Sequence, residues 1–481
     1  MLRHEDIAKV SEIKTEFGQL AKVVDQLLHW LGFFDFASVH SSLSDLKTKG
    51  YKANHLLAVL MTLPFMSHAS VNALLKSGIV ALSEAKKDAY YRLKNRDDIN
   101  WQILLRDFVN QFNRIVAKSG EVVQGKRALV IDDTLLVKRG KVIEGVGRLW
   151  DHVTNQSVLG LRLLVLGYFD GKSFLPVNFS FHREKGKNFH NKPFGLTKTD
   201  YKNQFKRIRA PKSPQSKNKT RLNEDKMTSA KRMIKAALKH LEVDYLLMDS
   251  WFTSKQFIDL AHQHKINLIG MVKLGKMNYS FDGEQINASA LLNRFKRKPK
   301  RCKKLSSHYI EVEAELDSKP IKLFFSRFGK GRWHLLLCTD MSLSYLQMME
   351  LYQIRWGIEV FFKEAKQYLN LGKSQSTDFS AQVADTAIAM IQYVLLTIKK
   401  RFGEYETKGG VFRAAKTEVI SLTIDQRLWG LLLEILAVIV EVLKLTIDDI
   451  DNLLRSLANL NSIKKIAQTL TPKELNSMCE T

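Results

Sequence analysis

Residues 127–133 read RALVIDD, with Thr134 next, and here the texture of the chain changes. A short apolar run that ends abruptly in carboxylates is the pattern of a buried strand whose end meets solvent or a site. Downstream, SVLGLRLLVLGYF from 157 and SFLPVNFSFH from 173 give two further strands, set apart by Gly and polar turns. A helix, AKRMIKAALKHLE, follows with Ser229 placed to cap it, and then the buried strand DYLLMDS at 244–250. Another helix, SKQFIDLAHQHK, leads into the strand INLIGMVKL. Three strands, helix, strand, helix, strand predicts an α/β domain.

Outward from this core the pattern changes again. Up to about residue 120 the apolar residues recur at helical spacing, as in NHLLAVLMTLPFM and NWQILLRDFVNQFNRIVA. Between 275 and 340 the reading is strand, with clean alternation in IEVEAEL at 310–316, and after 343 the chain reads as helix. Residues 183–228 read as a linker, because Pro211 and Pro214 interrupt a polar, basic run that lacks the apolar residues of a core. The stretch 181–240 carries a local charge of +14.

Lys and Arg number 75 against 49 Asp and Glu in 481 residues, a net charge of +26 that favours a polyanionic partner, most simply nucleic acid. The segment RFKRKPKRCKK at 294–304 holds eight basic residues in eleven. Such density reads as a phosphate-binding loop, with Arg297, Lys298, Lys300 and Arg301 as its centre. Three cysteines, Cys302, Cys338 and Cys479, form neither a zinc pattern nor an even disulfide framework, which fits a reducing cytoplasm. The N-terminus lacks the apolar stretch of a signal peptide. The most apolar segment, 428–445, contains Glu434, Glu441 and Lys444, so it reads as a buried or dimerising helix and no membrane is expected.

Two probable central strands end in acid, at Asp132, Asp133 and Asp249. A strand-end Asp also serves as a turn or cap residue, so position alone decides nothing. The stretch YQIRWGIEVFFKEAK at 352–366 adds a third carboxylate. Read as one helix, it gathers Tyr352, Arg355, Glu359 and Lys366 into a polar stripe, opposite Ile354, Ile358, Phe361, Ala365 and Leu369. Two strand-end aspartates and one helix glutamate make an oxygen-rich site suited to Mg²⁺ and to phosphoryl transfer, with Arg355 and Lys366 holding phosphates and Tyr352 donating a hydrogen bond. Adjacent strand residues point to opposite faces, so Asp132 and Asp133 cannot both line that site.

The strand order, the Asp, Asp, Glu set and the Y-x2-R-x3-E-x6-K spacing resemble the DDE transposases of bacterial insertion sequences, the IS-four-type branch with the Y-R-E-K signature. The resemblance implies a ribonuclease H-like catalytic core with a β-rich insertion, flanked by N-terminal and C-terminal helical regions. It divides the chain into a helical DNA-end-binding domain at 1–120, the first part of the core at 121–274, insertion at 275–341, catalytic helix at 342–375, and a helical region, a candidate dimerisation element, at 376–481. In that family the first metal-binding Asp directly precedes Thr, which selects Asp133, with Asp132 as its rival; Asp249 and Glu359 complete the catalytic and metal-binding set. Trp333 matches a Trp that stacks on a flipped base in related enzymes. The activity implied is cut-and-paste transposition: Mg²⁺- or Mn²⁺-dependent cleavage at element ends and strand transfer into target DNA, by a homodimer on double-stranded DNA in the bacterial cytoplasm. Two other classes remain open, a ribonuclease H-like nuclease or resolvase, and a sequence-specific DNA-binding protein without catalysis.

Overall fold

The computed structural model describes residues 51, 53–68, 70–76, 85–186, 188–275 and 277–417. The helix expected at 428–445 and Cys479 lie outside them. Two compact units divide the chain, a smaller one that draws on 57–87 and 410–417 among the described residues, and a larger one holding 88–409. In the smaller unit, helix α1 (Ala53–Thr62) from Leu57 onward and helix α2 (Val71–Lys76) contribute buried Val59, Leu60 and Leu74, and the Phe65 and Phe412 rings lie 5.2 Å apart.

The larger unit is built on one sheet. Its first strands are β1 (Ala128–Val137), β2 (Gly147–Asp151), β3 (Gln156–Phe169), β4 (Phe174–His182), β5 (Tyr245–Met248) and β6 (Asn267–Val272). Across the sheet they run β4-β3-β1-β5-β6, with β1, β3 and β4 antiparallel and β1, β5 and β6 parallel. This is the ribonuclease H-like arrangement, and the three-strand meander followed by helix crossovers dictates it. Residues 128–131 and 246–248 are fully buried, as expected of strands covered on both faces.

The β-rich segment continues this sheet. Strands β7 (Asn278–Phe281), β8 (Glu284–Asn287), β9 (Lys300–Cys302), β10 (Ser307–Leu316), β11 (Lys319–Phe328) and β12 (His334–Cys338) add on through β12, which pairs antiparallel with β6. Pairing on β6 removes what would otherwise be an open edge of the core. A helix, Ala288–Phe295, interrupts the strands, and the basic run begins at its C-terminal end.

Around the sheet stand α3 (Lys87–Asn95), α4 (Trp101–Lys118), α5 (Lys198–Lys202), α6 (Pro214–Arg221), α7 (Lys226–Ala237), α8 (Lys255–Gln263), α9 (Ala288–Phe295), α10 (Tyr345–Gln353), α11 (Trp356–Tyr368) and α12 (Phe379–Phe402). Helix α4, within the region expected to be N-terminal and separate, packs on β4 and α12. Helix α12 is long and apolar enough to cross a membrane by length and composition, and 94% of its apolar window is buried inside the protein.

Residues 183–228 are not a loose linker. Phe194, Leu196, Gln215 and Leu222 are buried, and Arg207 and Arg209 reach into the core. There Arg209 pairs with Glu144 and with Asp378, each at 2.7 Å, and Arg207 pairs with Asp378 at 2.8 Å. Charged side chains supply the anchorage that the missing apolar residues would have given, which is why composition alone misread the segment.

Candidate active site

The parallel pairing of β1 with β5 ends at Ile131 opposite Met248. The next residues on the two strands are Asp132 and Asp249, side by side about 4.8 Å apart in the backbone. Strand alternation puts the Asp133 side chain on the opposite face, and there it is fully engaged: Arg162 Nη1 donates to its Oδ1 at 3.3 Å and Lys226 Nζ to its Oδ2 at 2.7 Å. The sequence reading chose Asp133 because Thr follows it; the structure turns Asp133 away and brings Asp132 to Asp249. Asp132 accepts the Asp133 backbone N–H at 2.7 Å. Burial, and after it the charge of Asp249, push its carboxyl up to about 7.

Asp249 is held by its own loop. Its Oδ1 accepts the backbone N–H of Trp251 at 3.0 Å and of Phe252 at 3.1 Å, while Thr253 Oγ1 donates to the Asp249 carbonyl at 2.7 Å. Thr253 is completely buried against β6 at Gly270, where a Cβ would come within 2.3 Å of its hydroxyl. Residue 270 must therefore lack a side chain for this clamp to close. Neither Gly270 nor Thr253 had been singled out from sequence; an isolated Gly inside a strand was the available signal.

The stretch 352–366 is two helices rather than one. Helix α10 ends at Gln353, α11 begins at Trp356, and three-residue hydrogen bonds from Arg355 N–H to Tyr352 O at 3.1 Å and from Gly357 N–H to Ile354 O at 3.0 Å tighten the join. A Cβ at Gly357 would lie 2.9 Å from the Phe174 ring, so α11 starts where only glycine lets it approach β4. Ile358, Phe361, Ala365 and Leu369 are buried, as the apolar face requires.

The four polar residues then do different things. Tyr352 is buried and donates its hydroxyl to the Met248 carbonyl at 3.1 Å, one residue before Asp249. Burial pushes that hydroxyl up to about 12. Lys366 Nζ donates to Thr134 Oγ1 at 2.6 Å and to Leu135 O at 3.1 Å, on the same face of β1 as Asp132. In this structure Tyr352 and Lys366 thus brace the two strand ends, where phosphate contacts were expected of them. Arg355 lies between the acids: Nη2 is 2.7 Å from Glu359 Oε1, and Nη1 is 3.7 Å from Asp132 Oδ2. Among the described residues no three acidic, His or Cys side chains converge closely enough to hold an ion, and the Arg355 guanidinium lies between Glu359 and Asp132.

Trp333 precedes β12, whose first pairs with β6 join Leu335 to Val272 at the C-terminal end of β6. It stands at the same edge of the sheet as Asp132 and Asp249, with Arg327 stacked on its ring at 4.8 Å. Arg297, Lys298, Lys300 and Arg301 are exposed. Strand β9, which holds Lys300 and Arg301, lies six strand spacings from β1, about 25–30 Å away. The structure gathers Asp132, Asp249, Tyr352, Arg355, Glu359 and Lys366 into one site, and leaves the basic segment well along the sheet from it.

Residues 213–395 match the family model for the transposase DDE domain, a span that includes Asp249 and the whole of 352–366 but begins after β1. Over that stretch, about two-fifths of the chain, the sequence is similar to the transposase DDE domain. Among solved structures, the cryo-EM structure of the piggyBac transposase synaptic complex with hairpin DNA is similar, at 14% identity and a TM-score of 0.43 over 84% of this chain and 81% of that one. No curated protein sequence matches the chain.

Proposed function

We propose that this chain is a cut-and-paste transposase in which Asp132, Asp249 and Glu359 hold the divalent metal that cleavage and joining of DNA require. One observation carries the residue assignment: the β1–β5 register sets Asp132 beside Asp249, on the face that Arg355 and Glu359 approach. The donor set fits the ion. All three groups offer carboxylate oxygens, the ligands of hard cations, and Asp132 and Asp249 stand close enough that the charge of one adds to burial in raising the other. When bound, Mg²⁺, or Mn²⁺ in its place, supplies Lewis acidity at the scissile phosphate and favours ionised oxygen nucleophiles.

The chain's own residues do the positioning. Tyr352 and Thr253 fix the backbone at both ends of the Asp249 turn, and Lys366 fixes β1 just beyond Asp132. Arg355 sits between Asp132 and Glu359, one guanidinium against two carboxyls, and is the group on this face that would hold a DNA phosphate. Trp333 stands on the same edge to stack on an unpaired base. Two element ends must be joined in one reaction, so the working assembly is a homodimer on DNA, in the bacterial cytoplasm. The test is a strand-transfer assay with a precleaved element end, supercoiled target and Mg²⁺ or Mn²⁺. Joined products from the wild type, absent for Asp132→Asn, Asp249→Asn and Glu359→Gln, support the reading; nicking without joining, or binding without chemistry, overturns it.

A further inference from the structure

The charge concentrated in 181–240 is not spent at the carboxylate edge. Part of it, Lys217, Arg221, Arg232 and Lys239, lines a cleft of about 450 Å³ between α4, α6, α7 and β4. Its walls carry Arg106, Lys217, Arg221, Arg232, Lys239 and His240, and no Asp or Glu lines it. Asn100, Gln102, Asn110 and Asn178 add neutral hydrogen-bonding groups. Only Arg232 is firmly paired, with Glu224 at 2.7 Å, and Arg106 approaches Asp107 no closer than 3.9 Å. Burial, and then the neighbouring Arg232 charge, lower Arg221, which is held against like charge with an Asn218 contact of 3.5 Å as its hydrogen bond.

We propose that this cleft is a second DNA contact, a non-catalytic site that grips backbone phosphates of a duplex bound to the same protein. The inference rests on the reading of the chain as a transposase, since it takes the anion to be DNA. The cations come from separate elements and surround one opening, as a phosphate clamp needs. No Phe, Tyr or Trp lines the cleft, and its cationic side chains and neutral amides together outnumber the apolar ones. Backbone rather than nucleobase recognition follows. The site is apart from the acids: α7 starts at Lys226, paired to Asp133, and lines the cleft from Arg232, about 9 Å further along its axis, to Ala237. A duplex held there would be anchored away from the scissile bond.

The test measures affinity of the full chain for a labelled duplex of mixed sequence across a salt series, with Lys217→Ala, Lys239→Ala, Arg221→Ala and their combination. Lys217 and Lys239 are exposed, so their loss leaves the fold intact. Each substitution is expected to make the slope of log affinity against log salt shallower by about one, and the combination more so. Metal-dependent cleavage at saturating DNA should persist. Lys265→Glu, on an exposed turn before β6, controls for general loss of charge and is expected to change the slope less. Unchanged slopes, or slopes no different from that control, would overturn the site, as would competition by free ATP at concentrations where inorganic phosphate has no effect. The two readings fail separately: a wild type that joins ends while the cleft variants bind normally loses only the cleft, and a wild type without chemistry whose cleft variants lose affinity loses only the catalytic assignment.

Discussion

Two clusters of acids and arginines in the larger unit are tuned in opposite directions. In the knot that ties 207–219 to the core, Glu144 and Asp378 are buried, each about 5% exposed at the side chain. Burial would raise both, but Arg209, Arg207 and Lys219 outweigh it and hold both carboxyls below their usual range. At the strand ends the balance is reversed. Asp132 has one cation at 3.7 Å, faces a second acid, and is pushed up to about 7. The knot satisfies its charges internally and has nothing left to offer a ligand. The strand-end cluster sets one guanidinium against Asp132 and Glu359 with Asp249 beside them, an arrangement that the proposed cation would complete.

The contrast can be broken most severely at the active site. Asp249→Asn and Glu359→Gln should abolish DNA cleavage while duplex affinity, read by gel shift, stays within a few-fold of wild type. Loss of binding equal to the loss of cleavage would place these acids in DNA recognition. In the knot the expected effect is on folding: Arg209→Ala leaves two buried carboxylates without their shared partner and should lower stability by about 3–5 kcal/mol in urea denaturation. A loss below 1 kcal/mol would mean the knot is solvated on opening and does not hold 183–228 in place.

Titration sharpens the comparison further. Asp132 has a folded pKa raised above its ordinary value of 3.8, so folding favours its protonated form. In metal-free protein its cost to stability is absent below about pH 4, grows as pH rises towards 7, and is complete above that. Asp132→Asn should therefore raise the melting temperature at pH 8 by a few degrees without changing it at pH 4, while Mg²⁺ raises that of the wild type only. The knot acids have the opposite sign. Their stabilisation is present above their ordinary values and is lost as pH falls through their lowered ones. The smallest effect belongs to Tyr352→Phe, which removes one hydrogen bond to the Met248 carbonyl. Roughly 1 kcal/mol of stability should go, with a lower turnover at unchanged DNA affinity; lost affinity instead would return Tyr352 to the phosphate-binding role.

How much of this was readable in advance depends on the range of the interaction. Strand order, the acids at the ends of β1 and β5, and the β insertion follow from local periodicity, which 127–134 and 244–250 display openly. The alternation rule also stated that only one of Asp132 and Asp133 faces the site, but it could not say which, because that depends on the β1–β5 register and on where Arg162 and Lys226 come to lie. The break at 354–355 was hidden because both halves keep helical spacing; it is imposed by the approach of Gly357 to Phe174. The knot joins residues 65 and 169 positions apart, Glu144 and Asp378 to Arg209, and no pattern within 183–228 announces it.

The most direct measurement is Mn²⁺ binding, followed by electron paramagnetic resonance or calorimetry, on the wild type, Asp132→Asn and Asp133→Asn without DNA. Weak Mn²⁺ binding retained by Asp133→Asn and lost in Asp132→Asn is the result expected if Asp132 and Asp249 form the metal site and Asp133 is an internal ion pair. Binding lost in Asp133→Asn and kept in Asp132→Asn, with both variants folded, would contradict it.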